Sequence, residues 1–165
     1  MFSEGGWLQY QPPFLLNYQT QVKMTFTRQF VAMTMAALRA DGKIDSVELS
    51  IIKEMAIGLE LDSNEVNAGI VAEMENPSDM DVIINGIENE ENRSLVLEAC
   101  VQVVLADNNL AVKEVKLLLD ICRKLHLPEE QMVMALAMVC QNDRGIHIEG
   151  SDSDFDYIEL IEEEY

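Results

Sequence analysis

The chain has 165 residues, enough for one domain to bury a core without disulfide or metal staples. Hydrophobic residues make up 48% and aromatic ones 6%, with 10 methionines, a mix that excludes wholesale disorder and favours helices over a β-sandwich. Against 11 basic residues stand 30 acidic ones, and the formal charge of −19 excludes nucleic acid and anionic lipid as natural partners while suiting cations and basic proteins.

Gly5, Gly6, Pro12 and Pro13 make the opening residues an irregular lead-in. They carry no basic region ahead of an apolar run, so no signal peptide is expected. No apolar run approaches membrane-spanning length, and a cytoplasmic chain without membrane insertion is the expectation. From Tyr18 to Arg39, Val22, Phe26, Phe30, Met33 and Ala37 recur at helical spacing. After Gly42 a second helix puts Val47, Ile51, Met55 and Leu59 on one stripe. A third is entered through Asp62 or Ser63, and a short fourth, capped by Ser78, ends near Gly86. Residues 91–106 and 111–126 give a fifth and a sixth, and Pro128 opens a seventh running to about Cys140.

The predicted fold is all-α, with about seven helices. Sliding the chain along itself until Ala40 meets Ala106 lays "ADGKIDSVELSIIKEMAIGLEL" over "ADNNLAVKEVKLLLDICRKLHL". In that register Asp41, Glu48, Leu59 and Leu61 meet Asp107, Glu114, Leu125 and Leu127. Two pseudo-twofold-related hairpin halves sharing one core follow from that overlap, and two copies are too few for a solenoid. The organisation is a lead-in over 1–21, a helical domain over 22–140 and an acidic tail over 141–165. The tail holds nine carboxylates and one Arg, yet Phe155, Tyr157, Ile158, Leu160 and Ile161 are too apolar for a solubilising tail. Docking on the lead-in, in the same chain or a neighbouring subunit of a homodimer, is the expectation.

The stretch "RADGKIDSVE" looks like the back half of an EF-hand loop. Asp41, Gly42, Asp45 and Glu48 fit positions 5, 6, 9 and 12, but Ala37 and Arg39 fill positions 1 and 3, where oxygen ligands are required. Calcium by that route is rejected. Capping accounts for much of the pattern: Gly42 permits the turn, Asp45 caps the next helix, Glu48 completes a capping box, and Ile44 staples onto Leu49. Asp41 and Asp107 stand outside that account, each at a helix end where the dipole disfavours a carboxylate. Crowded into one groove, such carboxylates would call for a basic partner or a hard cation, Ca²⁺, Mg²⁺ or Mn²⁺.

The paired "ADGKIDSVE" and "ADNNLAVKE" hairpins resemble the TerB-like family of bacterial tellurite-resistance and stress-response proteins, over roughly residues 22–140. The resemblance implies an all-helical fold of two related halves and a role in metal-linked stress response. It carries the family's acidic positions onto Asp41, Asp45 and Glu48, and in the second half onto Asp107 and Glu114, where Asn108 replaces the Gly and Ala111 the acid.

An enzyme is not expected. His126 and His147 have neither metal-ligand nor triad spacing, and no nucleophile elbow or phosphate-binding Gly loop appears. Cys100, Cys122 and Cys140 sit among aliphatic neighbours and read as buried free thiols. Two functions remain: a stress protein binding a divalent cation through Asp41, Asp45, Glu48, Asp107 and Glu114, or an acidic interaction module that docks a basic protein partner without metal.

Overall fold

Ten of the thirteen residues from Phe26 to Leu38 are buried, so this segment forms a helix, α1, with no solvent face, as the axis of a helical body must be. The structure is a computed structural model that describes residues 23–42, 44–142 and 146–148, with the side chains of Asp41, Asn142, His147 and Ile148 outside that description. Around α1 stand α2 (Ser46–Gly58), α3 (Ser63–Glu75), α4 (Met80–Gly86), α5 (Glu90–Val104), α6 (Val112–Lys124) and α7 (Glu129–Asn142). Among the described residues the fold is all-α apart from a two-residue parallel pairing of β1 (Asn109–Leu110) with β2 (His147–Ile148). Among the described residues no helix is long and apolar enough to cross a membrane.

One core joins both halves. Phe30, Met33 and Met35 of α1 are buried in the same cluster as Leu97 and Cys100 of α5 and Leu118 and Ile121 of α6. The internal repeat extends to backbone detail. In the register that lays Ala40 on Ala106, α2 coincides with α6, and each is followed by the same left-handed residue, Glu60 or His126. The left-handed Gly42 likewise corresponds to Asn108. Leu61 N–H donates to the Ala56 carbonyl as Leu127 N–H donates to that of Cys122, at 2.9 and 3.1 Å. The turns before and after α2 and α6 therefore share local backbone geometry as well as sequence, and the helix order α1–α3 recurs as α5–α7.

Three expectations need correction. Helix α1 starts at Phe26 rather than Tyr18, because Thr25 is extended and its hydroxyl accepts the Arg28 N–H at 3.2 Å, which ends the helix there. On α2, Val47 is exposed while Ile52 and Ala56 are buried, so the core face is rotated from the expected stripe. Ser78 does not cap α4. Asp79 does, accepting from Asp81 and Val82, because the Ser78 hydroxyl is committed to Glu73. At the start of α3, Asp62 rather than Ser63 is the cap, its Oδ1 accepting the Glu65 N–H at 2.8 Å. The expected packing of the tail on the lead-in falls outside the described residues. Only its start is placed, with Ile146 half-buried against the core and residues 147–148 along β1.

Candidate functional site

The acidic turns are built by ordinary chain stops. After α1 a single 3-10 turn, Arg39–Asp41, closes on Gly42, whose N–H donates to the Arg39 carbonyl at 3.0 Å. Gly42 has φ of 78°, and a Cβ there would meet nothing within 4 Å, so glycine is favoured for backbone conformation and not for space. Asp45 then caps α2. Its Oδ1 accepts the Glu48 N–H and Glu48 Oε2 accepts the Asp45 N–H, both at 2.9 Å, which is the expected capping box. Ile44 and Leu49, the expected staple pair, are both half-buried against the core.

The second turn repeats the plan with poorer residues. Asn108 takes the left-handed place of Gly42, and Asp107 Oδ1 accepts the Asn109 N–H at 2.9 Å. That bond gives Asp107 a structural role that its place at a helix end does not suggest: it ties the turn by an Asx-type link. Ala111 offers no side-chain acceptor, so Glu114 N–H turns to the Ala111 carbonyl at 3.0 Å. The reverse bond survives, with buried Glu114 accepting the Ala111 N–H at 2.6 Å. Of the five acidic positions, Asp45 and Glu48 thus share the first turn of α2, while Asp107 and Glu114 flank β1. Asp41 lies on the 3-10 turn, which packs against α6. Among the described residues no three His, Cys, Asp or Glu side chains are grouped to hold a metal ion.

A different carboxylate, Glu73, dominates the interior. It is 0% exposed, lies 3.4 Å from Arg39 Nη2 and 3.8 Å from Arg28 Nη2, and accepts the Ser78 N–H at 2.9 Å and the Ser78 hydroxyl. Arg39 also donates to the Glu73 carbonyl. Two guanidinium groups and two further donors offset the cost of burying this charge, and they tie α3 to both ends of α1. Close approach of the helices is allowed by Gly69, where a Cβ would lie 2.8 Å from Arg28 Nη1 and 3.2 Å from Val31. Sequence reading passes over Glu73, although it continues the buried series Val66 and Ile70 at helical spacing, which is the available signal.

The remaining reactive groups are poor chemical tools. Burial pushes the Cys100 thiol up to about 12, and burial followed by the charge of Glu129 raises that of Cys122. Cys140 is only half-buried, contrary to the expected burial of all three. His126 is exposed at the end of α6.

Residues 30–137, more than half of the chain, match the family model described as tellurite resistance protein TerB. No curated protein and no solved structure matches the chain.

Proposed function

The chain belongs to the TerB family, and from that premise we propose that it is a cytoplasmic stress-response protein of the tellurite-resistance type that works by binding a divalent cation, not by catalysis. The observation that carries this reading is the first acidic turn. Asp45 and Glu48 are held in register by reciprocal bonds, three residues beyond a left-handed Gly42 that itself follows Asp41. Carboxylate oxygens are the donors that hard cations take, and Ca²⁺, Mg²⁺ or Mn²⁺ would be held by Asp41, Asp45 and Glu48. Asp107 and Glu114 are the matching donors of the second turn, a weaker set because Ala111 contributes none. The cation would supply charge neutralisation for an acidic surface and fix the turn.

Titration of the ¹⁵N-labelled protein with each cation tests the reading. Amides of residues 41–48 should shift saturably, and Asp41→Asn should abolish both the shift and any cation-dependent gain in melting temperature. Silent amides, or equal gains in wild type and Asp41→Asn, would remove it. A second reading would then stand: an acidic interaction module that docks a basic partner without metal. It is favoured by the caps themselves, since Asp45, Glu48, Asp107 and Glu114 all serve backbone N–H groups. Under that reading partner binding would weaken steeply with salt and ignore chelators.

A further inference from the structure

An open groove of about 730 Å³ runs between α2, α5 and α7, and none of the described residues of the acidic turns lines it. Leu97 and Ala135 are buried in its floor, while Met134 and Met138, one turn apart on α7, stand 64% and 63% exposed at its edge. A smaller hollow of about 230 Å³ adjoins it between α2 and α5, with Met55 and Gly58 in its lining. Glu98 and Gln102 line both, so the two meet along α5. Neither the core nor the cation reading explains so much bare apolar surface.

The lining selects the kind of occupant. Polar side chains are few in the groove, and two of them are spent on each other: the Ser94 hydroxyl donates to Gln131 Oε1 at 3.2 Å. An extended peptide would leave its backbone N–H and C=O groups unmatched against such walls, whereas a helix satisfies its own. Ser94 and Gln102 stand about 12 Å apart along α5, room for just over two turns of a partner helix. Charge then narrows the choice. Among the described residues Glu98 is the one charged side chain lining either hollow, and it has no ion-pair or hydrogen-bond partner. Covered by an apolar face alone, that carboxylate would lose its water without compensation, so the covering helix has to bring a Lys or Arg. The chain itself is a poor source. Residues 1–22 have Glu4 as their one charged side chain, residues 141–165 set nine carboxylates against one Arg, and a second copy brings a formal charge of −19.

We infer that this groove is a docking site for an amphipathic helix of a basic partner protein. The helix sets its apolar face over the two hollows and places a Lys or Arg on Glu98. Met134 and Met138, unbranched and polarizable, adapt to the side chains that arrive. The inference rests on the interaction-module reading and deepens it, giving the basic partner an apolar seat apart from the acidic turns. Because much of the contact is hydrophobic, salt weakens it only in part.

Methyl NMR of the full chain, labelled at Met, provides the test, with a synthetic helical peptide of Leu and Lys as the probe, about 14 residues long and carrying its leucines on one face. The methyls of Met55, Met134 and Met138 should shift saturably, and Met35 in the core should not move. Glu98→Lys should weaken binding by about tenfold. Gly58→Leu should weaken it as well, because a Cβ there meets nothing within 4 Å and the added side chain obstructs the smaller hollow without disturbing the fold. A scrambled peptide of the same composition keeps the charge, loses the apolar face, and should leave the three methyls still. Equal shifts from the scrambled peptide, or none from either, would overturn the inference. Peptide-induced shifts at amides 41–48 or 107–114 in place of the methyls would also overturn it, while leaving the interaction-module reading standing. So would Met134 and Met138 shifts produced without peptide, by deletion of residues 1–22 or 149–165 or by raising protein concentration, since these would assign the groove to the chain itself or to a second copy.

Discussion

Glu60 and His126, equivalent positions of the two halves, hold the same left-handed backbone conformation at φ of 56°. Each closes a Schellman turn. Glu60 N–H donates to the Ile57 carbonyl and His126 N–H to that of Arg123, both at 3.0 Å, one residue before the longer bonds of Leu61 and Leu127. A side chain in this conformation costs roughly 1–2 kcal/mol, whereas glycine is permitted it but loses about 0.5–1 kcal/mol more chain entropy on folding. Glu60→Gly and His126→Gly should therefore each stabilise the protein by about 0.5–1 kcal/mol. The two turns share no backbone hydrogen-bond partner, so the double variant should show close to the sum in urea melts.

The two capping turns predict opposite signs for mirror-image changes. Asp45→Ala removes the acceptor of the Glu48 N–H and should cost about 1 kcal/mol. Ala111 already has an extended N-cap backbone, φ −80° and ψ 150°, with the Glu114 half of the box formed. Ala111→Ser should complete that box and add about 0.5–1 kcal/mol. Chemical denaturation of both variants without divalent cation checks the pair; destabilisation by Ala111→Ser would show the repeat does not reach the caps.

Much of this is legible in the sequence because its causes are local. The Asp45–Glu48 spacing and the turn at Gly42 depend on residues near one another in the chain, and both are present in the folded protein, as is the overlap of α2 with α6. Ser78 is misleading for a different reason: a residue 5 positions earlier, Glu73, claims its hydroxyl. Glu73 itself is hidden because its partners Arg28 and Arg39 lie on α1 and its C-terminal turn, where no periodicity announces an ion pair. The open groove of about 730 Å³ between α2, α5 and α7 cannot be read from helix patterns, since it is lined by residues of three helices far apart in the chain, Ile51, Leu97 and Val139 among them.

Glu73 should be the most sensitive charged position. Removing one partner of a buried ion pair costs about 3–5 kcal/mol, but Arg28 and Arg39 are 25% and 26% exposed and can hydrate once freed. Glu73→Gln should therefore cost about 2–3 kcal/mol. Arg28→Met should cost less than Arg39→Met, because only Arg39 also bonds the Glu73 carbonyl. Gly69→Ala should destabilise too, despite the helix propensity it gains, by forcing Arg28 and Val31 apart from α3. A neutral Glu73→Gln in urea melts would show that the cluster contributes nothing net.

Cys100 should steepen the loss of stability at alkaline pH. Cys100 is fully buried with its Sγ 3.7 Å from the Met33 carbonyl, and burial raises it from 9.0 to about 12. An acid whose pKa is raised on folding binds its proton more tightly in the native state. Its contribution is whole below about pH 9 and is lost as pH rises toward 12, by up to about 1.4 kcal/mol per unit. Cys100→Ala should thus be less stable at neutral pH, because it leaves a small cavity, yet lose stability less steeply above pH 9 than wild type. Alkylation at pH 8 gives an independent reading, with half-buried Cys140 labelled first, Cys122 next and Cys100 last. Parallel stability curves for wild type and Cys100→Ala above pH 9 would place the thiolate in water and contradict the packing of α5 against α1.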